Sequence, residues 1–539
     1  MENFFIRENY LEIIKKRVEA LRHGFKQNIA IIGDESIGKT SLILHYLKNF
    51  YDNRIITVYL EVKPEPLDYF IRRFIGSLLY NFLKNSELKL KEDLDYLILK
   101  SQKYIPDTIV KIKALLQVKE SSRKETLLNS VFSICESINK ETSKSCLIIF
   151  DEFQNLENLG IKNLYKSWSK ALISEKNTMY IILSSKKYKA RQILSKNLSL
   201  LFGNFETIEI EPLDLKESDT FITKATQPLS LLKYHRDFLI HFTGGHPYYL
   251  KVICQDLLKS YASGGQANII TEEALINSLK ELLFDEMGVL NLRFSNYLKN
   301  FATDGLNQEY ARILYLISSG HNRIKDLAGD LHKQRKYLLP KINRLVELDI
   351  IQHYGDFFKI NDRIFSFWLK FVYQEKNFTF SPGAQSQIGL FRNKIVEMMR
   401  EFIKDSQRPM LNRILEMLQL FGDESVPMGR KRIKLSQFRE IKPLRFGGRF
   451  IKDGLLGRSS NDLWIIALKE DPITEEDVAE FSLECKKYKT NRAQKKIIVS
   501  PHSIESNAQL KALEEKIMAW DINNLNFILD LFSKSRIIV

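Results

Sequence analysis

The run IAIIGDESIGKTSLILHYLKNF, residues 29–50, constrains this chain more than any other. Four apolar residues lead into Gly33, which reads as the end of a buried strand. From Lys39 the apolar residues return at helical spacing. Between the two, Gly33 and Gly38 with Lys39 and Thr40 satisfy G-x-x-x-x-G-K-[ST]. A backbone that turns from strand to helix through such a loop makes a cradle for phosphate. Glycines let it curl so that successive N–H groups point inward. The helix N-terminus adds partial positive charge, and the lysine reaches the β- and γ-phosphates. Gly33, Asp34, Glu35, Ser36, Ile37 and Gly38 are therefore the expected loop. Lys39 is the phosphate ligand, Thr40 a hydroxyl for Mg²⁺, and Ser41 a partner for the α-phosphate.

A Mg–nucleotide site also needs a carboxylate at the end of a neighbouring buried strand, and SCLIIFDEFQ supplies one. Asp151 is the expected Mg²⁺ ligand, through water, and Glu152 the general base that polarises the attacking water. Lys39 and Glu152 are thus the expected catalytic residues. The strand MYIILSS ends in Ser184 and Ser185, polar groups placed to sense the γ-phosphate; Ser184 is counted among the nucleotide ligands. NIAIIG, RIITVYLEV, SCLIIFDE, MYIILSS and ETIEIEPL alternate with amphipathic helices between about 28 and 215. That alternation predicts an α/β fold with a parallel sheet.

The first half of the chain resembles the archaeal-type ATPase family, within the STAND group of AAA+-related P-loop NTPases. The resemblance begins at FFIRENYLEIIKKR, with Arg7 and Glu8 in the family's opening F-x-x-R-E box. It continues through GDESIGKTS, DEFQ and LFGNFETIEIEPL to GGHPYYL. It implies ATP and Mg²⁺ as cofactors, a P-loop ATPase core over 1–215 and a helical lid over 216–300. Gly245, His246 and Pro247 stand at the family's G-x-P element, which the resemblance places near the nucleotide. Where the family carries an arginine after FG this chain has Asn204. The resemblance then implies slow turnover, or turnover that needs a partner.

Residues 301–375 read as three helices and a hairpin turning at Tyr354-Gly355-Asp356, similar to the winged helix that follows the ATPase in this family. The third helix carries cations that suit DNA phosphates: Lys333, Arg335, Lys336, Lys341 and Arg344, with His332 just before them. After a polar joint, EKNFTFSPGAQSQ, residues 385–539 follow an order of helix, strands, helix and strand similar to a restriction-endonuclease-like PD-(D/E)xK domain. Its metal motif is degenerate. Asp453 is the candidate first carboxylate, Ala467 stands where the second belongs, and Lys469 survives; Arg392 replaces a helix glutamate common in relatives. Glu475, Glu476 or Glu480 are the candidates for a carboxylate that has migrated. Mg²⁺ held by one carboxylate is weakly bound, so cleavage is not expected.

Composition adds a partner class. The 539 residues carry a formal net charge of +15, with 27% charged and 44% hydrophobic residues. So basic a chain suits a polyanion such as nucleic acid. The basic stretch from Arg430 to Arg449, interleaved with phenylalanines, reads as a second surface of this kind or as a solvated loop. Four scattered cysteines without a CxxC pair suggest neither zinc nor a disulfide framework. The charged start and the lack of a long apolar run predict a soluble, cytoplasmic protein. The expectation is an ATP-binding, ATP-hydrolysing switch that couples nucleotide state to DNA binding. The alternatives are a nucleotide-gated scaffold for protein partners and an ATP-regulated nuclease; a homo-oligomer is left open.

Overall fold

The computed structural model describes residues 7–84, 90–118, 124–198, 205–262, 268–301, 308–374, 384–429, 431–449, 451–488, 493–502 and 504–538. It divides into two compact units. The first is Met1–Pro212 with Glu347–Asp349; the second is Leu213–Val346 with Ile350–Val539.

The first unit is built on strands β1 (Asn28–Gly33), β2 (Ile55–Glu61), β3 (Ser145–Asp151), β4 (Thr178–Ser184) and β5 (Phe205–Ile210). All are parallel, in the order β2-β3-β4-β1-β5. The α/β class and parallel sheet are those expected from the sequence. The three central strands, β1, β3 and β4, are buried on both faces because alternate residues serve different cores. Ile29 and Ile31 pack with Ile149, Ile181 and the first helix, Glu8–Arg22. Ala30 and Ile32 pack with Ile148, Phe150 and the helix Leu67–Leu83. The expected ETIEIEPL strand stops at Ile210, ahead of Pro212, which has no N–H to give a ladder. One consequence positions the site: β4 lies between β1 and β3, so the C-terminal ends of three strands converge in the crevice where open α/β sheets bind ligands.

The second unit opens with five helices, from Leu215–Ala225 to Val289–Lys299. The helices Gln308–Ser318, Ile324–Asp330 and Arg335–Glu347 follow, then the antiparallel hairpin of β6 (Ile351–Tyr354) and β7 (Phe357–Ile360). A second hairpin joins β8 (Glu424–Met428) to β9 (Lys431–Leu435). The last sheet runs β10-β11-β12-β13-β14. Its strands are Phe438–Arg445, Asp453–Ser459, Asp462–Leu468, Ala493–Val499 and Ile517–Trp520, the first three antiparallel and the last three parallel. Two details differ from the sequence reading. Most of the basic stretch is strand, because Ile433 and Leu435 turn inward while Lys431, Arg432 and Lys434 stay in solvent. GGRFIKDGLL becomes extended only from Asp453, and a helix, Ile522–Leu531, follows the last strand.

The β6–β7 hairpin is packed rather than free. Gly355 takes φ +67°, and a Cβ there would sit 1.8 Å from the Ser425 carbonyl oxygen. The Asp356 N–H donates to that oxygen at 3.0 Å, and the Ser425 N–H donates back to the Asp356 carboxylate at 2.7 Å. Phe357 joins a core with Leu455, Trp464 and Ile466.

Candidate functional site

In the first unit the loop after β1 is fixed at both ends. A Cβ on Gly33 would meet the Ile210 carbonyl oxygen at 2.8 Å, so only glycine lets β1 end this close to β5. Ser36 has φ +59°. Ile37 is buried and pins the loop to the core below it. Gly38, with φ +108°, starts the helix Lys39–Asn49. Asp34 pairs with Lys187 at 2.7 Å, while Glu35 and Ser41 face solvent. Lys39 is only 4% exposed, and its ammonium donates to the carbonyls of Gly33 at 3.0 Å and Asp34 at 2.8 Å. Burial pulls its pKa down; Glu152 and Asp151, nearby, oppose that pull.

Asp151, buried at the end of β3, takes three donors. Thr40 Oγ1 at 2.6 Å and Tyr59 OH at 2.8 Å share its Oδ2, and the Glu152 N–H reaches Oδ1 at 3.0 Å. Burial and the Asp151 charge raise the Tyr59 pKa, so the phenol stays a donor. Glu152 adopts a left-handed backbone, φ +53°, a conformation that costs a non-glycine residue and often marks a functional position. Its Oε2 accepts from the Ser185 N–H at 3.1 Å, Ser185 Oγ at 2.7 Å and Gln154 Nε2 at 2.6 Å.

The structure therefore brings Lys39, Thr40, Asp151 and Glu152 together. Ser184 is buried beneath them, its hydroxyl accepting from the Lys186 N–H at 3.1 Å. Ser185, not Ser184, touches the candidate base. Sequence reasoning missed Tyr59, Gln154 and Lys187. Tyr59 stands beside Ile149, and Glu61 beside Asp151, only because β2 neighbours β3. That pairing is not written in either strand. Arg7 is buried, donates to the Glu211 carbonyl and lies 5.8 Å from the Tyr10 ring, tying the first helix to the end of β5.

The remaining candidates lie in the second unit or outside the described residues. His246 precedes, and Pro247 begins, the helix Pro247–Ala262. Gly245 ahead of them has φ +79°, and a Cβ there would meet the Leu213 carbonyl oxygen at 2.2 Å. Asn204 is outside the described residues. His332, Lys333, Arg335, Lys336 and Arg344 are exposed. Lys341 is not: it pairs with Glu309 at 2.9 Å and lies 4.9 Å from the Tyr337 ring. Its charge is used inside the helical module.

In the last sheet Ala467 is fully buried in an apolar cluster with Ile465, Val478 and Phe481. Lys469, just past β12, pairs with Asp477, whose carboxylate also accepts from the Thr474 N–H at 2.7 Å and hydroxyl at 2.9 Å. None of the three expected glutamates reaches that lysine. Glu475 and Glu476 are exposed, and Glu480 accepts from the Ile451 N–H at 3.1 Å. Among the described residues no cluster of three or more His, Cys, Asp or Glu is arranged to hold a metal ion.

A parallel sheet whose first strand runs through this loop into a helix, with a strand ending in Asp-Glu one position further along the sheet, defines the class of P-loop nucleotide-binding proteins. Residues 4–253 match the family described as "ATPase domain predominantly from Archaea". ATP binding and ATPase activity in general belong to that match. A solved Walker-type ATPase of Pyrococcus abyssi is 17% identical, with a TM-score of 0.50 over 68% of this chain and 96% of that one. At that identity the likeness shows the fold. The ORC2 protein of Aeropyrum pernix is 11% identical, with a TM-score of 0.43 over 74% and 96% of the two chains. No curated protein matches the chain.

Proposed function

We propose that the first unit binds ATP with Mg²⁺ and hydrolyses it, and that nucleotide state controls binding of DNA by the second unit. The observation that carries the first half is the convergence of Lys39, Thr40, Asp151 and Glu152 at the C-terminal ends of β1 and β3, the two strands that flank β4. The residues fit the group. A buried ammonium sits under a loop whose glycines keep the backbone open, and a threonine hydroxyl lies 2.6 Å from a buried carboxylate. Thr40 and Asp151 would hold Mg²⁺, which when bound neutralises charge on the phosphates. The loop N–H groups and Lys39 bind and orient the phosphates. Glu152 takes the proton of the attacking water, and Ser185 and Gln154 keep its carboxylate in place. Gly245, His246 and Pro247 are read as the element through which the second unit senses nucleotide.

For DNA the support is the net charge of +15 and the exposed cations Lys333, Arg335, Lys336 and Arg344. Lys341 is left out because Glu309 holds it. The C-terminal sheet is read as nuclease-derived and non-cleaving. An acid at 467 would have to displace packed apolar side chains, and the surviving Lys469 is engaged by Asp477.

ATP binding and turnover, measured with two variants, test the reading. Lys39→Ala is expected to lose ATP binding. Glu152→Gln is expected to bind ATP with little change and to lose turnover by about a hundredfold or more. Undiminished turnover in Glu152→Gln would remove that residue from the chemistry; undiminished binding in Lys39→Ala would remove the loop.

A further inference from the structure

The second unit contains a cavity of about 480 Å³, within the range of small-molecule sites. Its walls come from the helices Lys233–Thr243, Gln308–Ser318 and Arg363–Trp368, strand β7, the helical turn Leu369–Tyr373, the helix Ala384–Ser406 and the segment after helix Ile522–Leu531. None of its lining belongs to the loop 33–41, so a ligand bound in it is independent of the nucleotide site proposed in the first unit.

The lining is basic beyond what its acids neutralise. Lys359, Arg363, Lys370, Lys394 and Lys534 line the cavity together with Glu397, Glu401 and Asp530. Asp530, its side chain 2% exposed, is shared by three cations: Arg363, Lys359 at 2.7 Å and Arg536 at 2.7 Å. Lys394 lies 2.9 Å from Glu397. Among the described residues Lys370 and Lys534 have no ion pair. Burial lowers the Lys370 pKa, and Lys394 adds to the effect while Glu401 opposes it. The like charges of Lys370 and Lys394 repel, and an anion between them would relieve both.

The opposite character is supplied by aromatic rings. Phe367 and Phe371 are half-buried with ring centroids 4.9 Å apart, and Phe242 meets Phe367 at the same distance. The Lys370 ammonium lies 5.0 Å from the Phe371 ring, and cations beside half-buried rings in one cavity match a ligand with an anionic end and a flat apolar end.

We propose that this cavity binds a phosphorylated small molecule bearing an aromatic ring, the chemistry of a nucleoside monophosphate. The phosphoryl group faces Lys370, Lys394 and Lys534, and the ring lies against Phe367 and Phe371. The test is calorimetric titration of the full chain with AMP, carried out in a Lys39→Ala background so that the loop of the first unit does not contribute. Saturable binding is expected, weakened about tenfold or more by Lys370→Glu and by the surface substitution Lys534→Glu. Phe371→Ala should weaken AMP while leaving competition by inorganic phosphate unchanged. Absence of saturable AMP binding overturns the proposal. So does binding that neither glutamate substitution weakens in protein whose melting temperature shows it folded.

Discussion

Asp151 Oδ2 accepts from both Thr40 and Tyr59, and the second of these contacts has a measurable consequence. Removing the phenol leaves a buried carboxylate one donor short, which costs about 1–3 kcal/mol when nothing replaces it. Tyr59→Phe is therefore expected to lower stability by that order and to weaken Mg²⁺-dependent ATP binding several-fold, read from denaturant melts and from titrations with and without Mg²⁺. Ser185 acts differently, because its N–H and hydroxyl both hold Glu152 Oε2. Ser185→Ala keeps the N–H but frees the carboxylate to turn, so turnover should fall by about ten- to a hundredfold with ATP affinity unchanged. A fall in affinity of equal size would show instead that Ser185 binds nucleotide. Lys39, Thr40, Asp151 and Glu152 were legible in the sequence because each motif is local: a loop with its helix, or a strand with its end. Tyr59 was not, and Ser185 was read as a phosphate sensor rather than as a partner of Glu152. Their roles depend on which strands lie side by side, and β4 enters between β1 and β3 from far along the chain.

Among elements, β12 shows the same division between local and distant information. Its alternation puts Trp464 and Ile466 in one core and Ile465 and Ala467 in another, as period-two reading expects. The partner of Lys469 was hidden, because Asp477 reaches it from the first turn of the following helix. The hairpin β6–β7 was placed by its Gly-Asp turn, but its burial against Ser425 was not foreseeable from either segment. Gly355→Ala should push the hairpin off that strand, lowering stability by about 1–3 kcal/mol and speeding hydrogen exchange in β6 and β7. The end of helix Leu164–Ser174 supplies a pH-dependent case. Glu175 is 5% exposed and accepts from Tyr180 OH at 2.8 Å. Burial raises its pKa to about 7, against the opposing pull of Tyr180 and Lys26. A carboxyl that ionises later in the folded state than in the unfolded one stabilises fully below the unfolded value. That contribution is lost as pH rises through about 7. Melting temperature should fall between pH 5 and pH 8 by an amount equivalent to at most about 3 kcal/mol, and Glu175→Gln should flatten the curve.

For the molecule as a whole, charge is the property that sequence gives most directly and structure must localise. A net charge of +15 predicts polyanion binding without saying where. The fold narrows the choice on the helix Arg335–Glu347: Lys341 is held by Glu309, while Arg335, Lys336 and Arg344 face solvent. The hairpin after this helix has its turn packed against Ser425, so the helix is the surface to test first for phosphate contacts. Duplex DNA binding measured over a range of salt tests this without knowledge of any preferred sequence. Affinity in the micromolar range at low salt is expected, with log K falling linearly as log salt rises. Changing Arg335, Lys336 and Arg344 together to glutamine removes three phosphate contacts, so the slope should flatten by about 2–3. If the slope keeps its value in that triple variant, the contacts lie elsewhere, with the exposed Lys431, Arg432, Arg439 and Arg445 of β9 and β10 the next surface to change. If no binding develops even at low salt, the proposal that the second unit binds DNA fails. Comparing ADP with a non-hydrolysable ATP analogue in the same titration then separates coupling from simple attraction: charge alone gives equal affinities in the two nucleotide states, whereas a switch gives unequal ones.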